Sequence, residues 1–295
     1  MKSRVLLIFA LIAFLMAGIF VVSAQDEDVR GAFIESRPKT TNLKGPSQRH
    51  RRRPAKTNTN TNPAANMAAN ANTTAPVNSR PLRKAQPAIG LGYTIFMREP
   101  SGRAIRVEPT REFRTGDRIR IALEPNTDGY LYIFNSENGG APHMIFPDAR
   151  LDGGENWIEA HVPVEVPSSE ETEERLRWFE FFGDPGSERV FIVVTREPLK
   201  GIPTSEELVA FCGLNKNKCP WQAPAEVWQQ VEKMTTAQVK VSTTQNFGQA
   251  QTEREKVAMT RGLGLDQSMP QPSVIRISAS SNEPMLVTIL DLVHK

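Results

Sequence analysis

Short apolar runs recur in residues 90–199 and 273–295 with turn-forming residues between them, and Arg118–Leu123 alternates apolar and polar positions with a period of two. The densest run, Gly129–Asn135 (GYLYIFN), precedes a glycine-rich turn at Glu137–Gly140 and a second apolar run at Ala141–Phe146. Two strand-like runs around such a turn predict a β-hairpin. Because the first run is apolar on both faces, we expect it to lie in the centre of the core.

Other short runs share this character. Further strands are expected at Tyr93–Arg98, Ala104–Val107, Arg118–Leu123, Asn156–Val162, Arg177–Phe182, Arg189–Thr195, Val274–Ser278 and Met285–Val293. Recurrent short strands with turn signals between them predict an all-β, β-sandwich-like domain spanning residues 90–295.

The period changes in residues 199–272, where helical patterns and loops replace the strands. Thr204 stands three residues before Glu207, which predicts a capping box and a short helix. Pro224 suits the first turn of a second helix, and Ser242–Pro272 is expected to be mostly loop with a short helix at Thr252–Met259. We therefore expect a helical extension here, with residues 273–295 supplying the closing strands.

The N-terminus has the pattern of an export signal. Lys2 and Arg4 precede an uninterrupted apolar run, Val5–Val22, and small residues then lead to Ala24. This pattern predicts a signal peptide over residues 1–24 with cleavage after Ala24, although a run of this length also suits an uncleaved membrane anchor. In both cases we expect an exported protein of the periplasm or cell envelope, or a secreted one.

Residues 25–89 are rich in Asn, Thr, Ala and Pro and poor in large apolar residues, which predicts a disordered linker. Its basic run, Arg49–Arg53, suits either a solvated linker or attachment to an anionic surface. Residues 91–295 carry 22 basic and 29 acidic residues, so nucleic-acid binding by the folded part is not expected. Membrane contact is expected only through the leader or this run.

Cys212 and Cys219 are the two cysteines of the chain. An even pair at close spacing in an exported protein predicts a structural disulfide, because a zinc site needs further ligands and a redox pair is typically Cys-x-x-Cys. Closing an eight-residue ring is worth about 2.5 kcal/mol in the chain-entropy model.

No nucleophile, metal or phosphate-loop motif is present, so no catalytic, cofactor-binding or metal-binding residue is assigned and no cofactor is expected. The alternative is a hydrolytic or metal-dependent enzyme using His143, His161 and the carboxylates of Asp148 and Asp152. Those two aspartates lie in a Gly-rich segment that is also ordinary turn sequence.

Aromatic residues at Tyr130, Tyr132 and Trp157 form the candidate binding surface. Rings at alternate positions of a strand suit recognition of a peptide or glycan. The alternative is that these rings fill the core, because strands commonly use such side chains for packing.

Three segments, TGDRIRIALEPNTDGYLYIFN, MIFPDARLDGGEN and WFEFFGDPGSERVFIVVTREPL, resemble the bacterial domain of unknown function 4384. The resemblance covers roughly residues 90–199. Members often stand beside kinase or caspase-like peptidase domains, which implies a sensor or interaction module without established catalytic residues. We therefore expect an exported, non-catalytic module that binds an envelope protein or polysaccharide; a structural envelope component held by the basic run is a third possibility.

Overall fold

The computed structural model describes residues 28–39 and 86–295. Its strands are β1 (Gly90–Arg98), β2 (Ala104–Val107), β3 (Glu112–Phe113), β4 (Arg118–Pro125), β5 (Gly129–Glu137), β6 (His143–Phe146), β7 (Trp157–Ile158), β8 (Val164–Val166), β9 (Phe179–Glu180), β10 (Gly186–Thr195), β11 (Val239–Thr243), β12 (Val274–Ser278) and β13 (Met285–His294). Its helices are α1 (residues 28–35), α2 (Ser205–Leu214), α3 (Ala225–Met234) and α4 (Glu253–Thr260). In the described part of the chain, short strands thus outnumber helices.

The strands form two sheets. Sheet I has the order β11-β12-β1-β4-β8, with β2 beside β1 and β9 beside β4; sheet II has the order β3-β13-β10-β5-β6, with β7 beside β5. The pairing is antiparallel except between β3 and β13. The predicted hairpin of β5 and β6 is present, and β10 is the other neighbour of β5. This position makes β5 an interior strand of sheet II.

The two sheets face each other across one apolar core. Strand periodicity turns alternate side chains of each strand towards this core. Its buried members include Leu91, Tyr93 and Ile95 of β1, Ile121 and Leu123 of β4, Leu131 and Ile133 of β5, Ile192 and Val194 of β10, and Leu286 and Leu290 of β13. Because both sheets contribute, the predicted all-β sandwich-like fold is confirmed.

The outer face of sheet II is covered by α2 and α3. Tyr132 and Phe134, which alternate with the inward residues of β5, pack against Leu208 of α2 and Val231 of α3. The predicted disulfide is confirmed: Cys212 of α2 is bonded to Cys219 in the loop that leads to α3. The helical extension therefore forms a third layer.

The outer face of sheet I is covered by α1, α4 and the segment that follows α4. Phe33 of α1 packs in a buried cluster with Ile275 of β12. Met259 of α4 packs against a cluster that includes Phe96 and Trp178. Both faces of the sandwich are thus covered, and few large apolar side chains of the described residues remain exposed.

The sequence prediction of a disordered segment at 25–89 is wrong for residues 28–39, which form α1 and a following turn. Val29 and Phe33 are one helical turn apart and both buried, so they anchor this face of α1. The predicted signal peptide, its cleavage site after Ala24 and the run Arg49–Arg53 lie outside the described residues. No helix within the described residues has the length and apolar character needed to span a bilayer.

Several predicted elements have different limits. The strand expected at Asn156–Val162 is reduced to β7, because His161 adopts φ 58° and its N–H bonds to the Pro125 carbonyl at 2.7 Å. The short helix expected at Thr252–Met259 is present as α4, but the edge strand β11, which overlaps the start of the expected loop at Ser242–Pro272, was not predicted.

The capping box predicted for α2 is wrong, since the Thr204 side chain makes no capping hydrogen bond. A reciprocal capping box is instead present at the start of α4, between Thr252 and Glu255.

Candidate functional site

Tyr130 and Trp157 form an exposed aromatic pair at the edge of sheet II. They are direct cross-strand partners, because β7 pairs with β5 in this register. Their ring centroids are 5.1 Å apart in an edge-to-face arrangement. Trp157 is 46% exposed, whereas Tyr130 is half-buried. Strand pairing therefore presents a large indole to solvent in a fixed orientation.

Two acidic residues act electrostatically on Tyr130 of this pair. Burial raises the pKa of the Tyr130 phenol, and the negative charges of Glu197 and Glu155 raise it further. The phenol therefore stays neutral and able to donate a hydrogen bond at physiological pH. An aromatic face beside carboxylates is suited to a cationic or hydroxyl-rich partner group.

Tyr132 is not part of this surface, so the three-residue surface predicted from the sequence is wrong in that member. Its side chain is fully buried under α2 and α3. Its hydroxyl accepts a hydrogen bond from the Leu199 backbone N–H at 3.0 Å. Residues two positions apart in a strand point to the same face of the sheet, so Tyr132 and Tyr130 lie on one face of sheet II. The helical layer covers Tyr132 on that face.

Of the residues of the enzyme alternative, His161 lies apart from His143 and Asp148. His143 pairs in register with Asn135 and bridges to Gln222, at the edge of sheet II. Asp148 is bonded to the guanidinium of Arg150 in an exposed turn. His161 is instead buried beneath α1, at the end of β4 in sheet I. Within the described residues, no group of three or more His, Cys, Asp or Glu side chains is arranged to hold a metal ion.

His161 belongs to a hydrogen-bond chain that the sequence did not suggest. Its Nδ1 lies 2.8 Å from Oε1 of Glu124, and its Nε2 lies 2.9 Å from the Ser36 hydroxyl. The order carboxylate, imidazole and hydroxyl is that of a hydrolase triad. The Ser36 hydroxyl also donates to the Phe33 carbonyl at 2.6 Å. A hydroxyl has one proton, so in this arrangement Ser36 accepts from His161 instead of being deprotonated by it.

Arg37 makes the most extensive polar contacts of this region. Its guanidinium is fully buried and bonds both oxygens of Glu124, at 2.7 and 2.6 Å. It also donates to the backbone carbonyls of Asp266, Met269 and Pro270. A bidentate pair with three further acceptors satisfies a buried arginine almost completely. Arg37 therefore attaches the turn after α1 to the body of the protein, by which we mean residues 86–295.

Two glycines of β1 make room for the Phe33 ring. A Cβ on Gly90 or on Gly92 would lie 3.2 Å from this ring, and one on Gly92 would also lie 2.4 Å from the Pro272 side chain. The Gly-x-Gly sequence at the start of β1 is thus explained by close packing of Phe33 together with Asn126 and Pro272. The edge of the Phe33 ring also meets the imidazole of His161, with centroids 5.5 Å apart.

Two further buried ion pairs lie on the outer face of sheet I. Arg106 pairs with Glu255 of α4, and burial lowers the pKa of Arg106 while Glu255 opposes that effect. Arg120 pairs with Glu165 of β8 at 3.3 Å, and its guanidinium lies over the Trp178 ring at 4.1 Å.

A cavity of about 20 Å³ lies between the outer face of sheet I and the segment after α4, lined in part by Thr94, Glu124 and Glu255. This volume holds about one water molecule, not an organic substrate.

Residues 112–198 match the model of a family described as "Domain of unknown function (DUF4384)", which confirms the resemblance found in the sequence. No curated protein and no solved structure matches the chain. The matched segment runs from β3 to beyond β10 and ends before α2. β1 and β13 lie outside it but pair with β4 and β10, so flanking strands complete both sheets.

Proposed function

We propose that this chain, which carries a DUF4384 segment at residues 112–198, is an exported, non-catalytic module of the cell envelope that binds a protein or polysaccharide. The exposed edge-to-face pair of Trp157 and Tyr130 is the observation that carries the proposal. A large aromatic side chain held on a paired strand provides contact area at a small cost in conformational entropy.

The negative charge near the pair favours one chemical class of partner. Glu155 and Glu197 act on Tyr130, and residues 91–295 have an excess of acidic over basic residues. A partner that presents a Lys or Arg side chain to the Trp157 face gains both a cation–π contact and attraction to these carboxylates. A protein segment with such a residue is the favoured ligand, and a polysaccharide that stacks on the indole is the other.

The test is cross-linking of the tagged full-length protein in intact cells, followed by mass spectrometry of the captured material. We expect Trp157→Ala to reduce recovery of the reproducible partner about tenfold, because a central aromatic contact is typically worth 1–2 kcal/mol. Phe182→Ala is the matched control, since Phe182 is 80% exposed at another place on the surface. If the partner is recovered as well with Trp157→Ala as with Phe182→Ala, Trp157 is not part of the binding site.

The hydrogen-bond chain from Glu124 through His161 to Ser36 favours a second candidate function, an esterase-type hydrolase. This candidate uses His161 with partners other than those expected from the sequence. It requires Ser36 to release the Phe33 carbonyl and to donate its proton to His161. Covalent labelling of the wild-type chain by a fluorophosphonate, lost in Ser36→Ala, would support it; an unlabelled wild-type chain would reject it.

A further inference from the structure

Residues 28–39 are bound to the body of the protein as a peptide ligand is bound. Every contact described above is non-covalent, and the surface that receives them is formed by later parts of the chain. We call this surface the docking groove and define it by Gly90, Gly92, Glu124, His161, Gln267 and Ile275. We propose that the docking groove also accepts residues 28–39 of a second copy of the chain, so that copies are joined by exchange of this segment.

The groove recognises side chains and backbone of the segment together. Phe33 enters the space left by the two glycines, and Arg37 bonds Glu124 and three carbonyls. The Gln267 side chain donates to the Glu35 and Arg37 carbonyls, and the Gln267 N–H donates to the Pro38 carbonyl. Apolar, ionic and main-chain contacts are thus combined over one short segment, as in helix-in-groove peptide recognition.

An empty groove would be unfavourable. Without Arg37, the Glu124 carboxylate loses its bidentate partner and keeps only the His161 imidazole at 2.8 Å. Binding of another segment restores two charge-assisted hydrogen bonds to this carboxylate, so a groove that has lost its own segment gains from the exchange. The chemistry required of the occupant is present in every other copy of the chain by identity of sequence.

The covalent connection permits exchange. Residues 40–85 join the segment to the body, and a chain of that length reaches on the order of 150 Å when fully extended. A segment can therefore reach the groove of a neighbouring molecule while its own body stays at a distance. The contacts made in the exchanged form are the same as those within one molecule, so concentration and tethering decide between the two forms.

The wild-type chain alone is a poor test, because an attached segment competes at an effective concentration in the millimolar range. Two complementary full-length variants avoid this competition. The acceptor carries Phe33→Ala and Arg37→Ala, which disable its segment and leave its groove intact. The donor carries Glu124→Gln, which disables its groove and leaves its segment intact.

We expect each variant alone to sediment as a monomer and a mixture at micromolar concentration to form a complex with equal amounts of both. A donor that also carries Arg37→Ala should bind the acceptor at least about a hundredfold more weakly, whereas Glu35→Ala, at an exposed side chain, should have little effect. Failure of the folded variants to associate would overturn the proposal.

If the acceptor does not fold, a fluorescent peptide of residues 28–39 is titrated at up to millimolar concentration into the full-length Arg37→Ala chain, whose attached segment competes less strongly than the wild-type one. Saturable binding that is lost with the Arg37→Ala peptide supports exchange, and absence of binding overturns it. Neither experiment involves Trp157 or Tyr130, so the outcome is independent of the binding function proposed above.

Discussion

At the residue scale, burial changes what ionisable side chains can do. The chain has three tyrosines, and the pKa of each is raised, with burial as the first cause. Tyr93 lies in the core between the sheets, and Tyr132 lies beneath the helical layer. Ionising either phenol would place a charge where water is excluded.

This arrangement predicts how stability depends on alkaline pH. In the unfolded chain a tyrosine loses its proton near pH 10, whereas the folded protein retains it. Above that pH the unfolded state binds fewer protons than the folded one, so the free energy of unfolding falls as pH rises. We expect tyrosinate absorbance to appear together with the loss of native circular dichroism. A full tyrosinate signal from a protein that is still folded would contradict this prediction.

Ion pairs in this protein differ more in burial than in distance. Arg189 and Asp291 are 2.6 Å apart on the surface of sheet II, with each side chain about half exposed. Arg120 and Glu165 are 3.3 Å apart, but both are almost completely buried. Removing one member of a buried pair leaves an uncompensated charge, whereas exposed pairs contribute little.

Glu165→Ala is therefore expected to lower the free energy of unfolding by about 3–5 kcal/mol. Asp291→Ala, the matched control, is expected to lower it by less than about 1 kcal/mol. Chemical denaturation of the two variants measures both values. If the two losses are equal, burial is not what determines the strength of these pairs.

At the element scale, the close approach of two strands can require glycine at a position, whatever the strand propensity of other residues. A Cβ on Gly129, at the start of β5, would lie 2.1 Å from the Thr195 carbonyl oxygen of β10. Gly213, in the last turn of α2, has no heavy atom near the position of an added Cβ. Substitution of these two glycines by alanine therefore separates two effects on stability: steric contact of the new Cβ, and the lower backbone entropy of the unfolded chain.

Gly129→Ala is expected to destabilise the protein by about 1–3 kcal/mol or more, since the backbone of β10 would have to move. Gly213→Ala is expected to stabilise it by up to about 1 kcal/mol, because alanine favours the helix and meets no obstruction. Thermal melting distinguishes the two. A Gly129→Ala variant with an unchanged melting temperature would show that β5 and β10 can separate without loss.

Sequence patterns located most elements because their periodicity is local. The runs that became β5, β10 and β13 were recognised from apolar residues, and the disulfide from spacing and compartment. The segment at residues 28–39 was missed because it has few apolar residues, and its stability depends on partners far away in the chain. Nothing local to Arg37 shows that Glu124 and three carbonyls will bond it.

At the scale of the whole molecule, the same limitation applies to the candidate sites. Trp157 and Tyr132 were both candidate surface residues, but Trp157 is exposed whereas Tyr132 is buried beneath the helical layer. Only the packing of α2 and α3 decides which ring of β5 remains accessible. His161 was identified as a candidate, yet its partners Ser36 and Glu124 come from segments whose approach no sequence pattern indicates.

The position of β13 has a consequence for the time at which this protein can fold. β13 lies between β3 and β10 in sheet II, although it is the last strand in sequence order among the described residues. A chain that emerges from a ribosome starting at its N-terminus therefore cannot complete sheet II until residues 285–294 have appeared. Contacts between residues so distant in sequence form slowly. Sheet II thus stays incomplete, with β10 lacking one neighbour, until almost all of residues 90–295 have been synthesised.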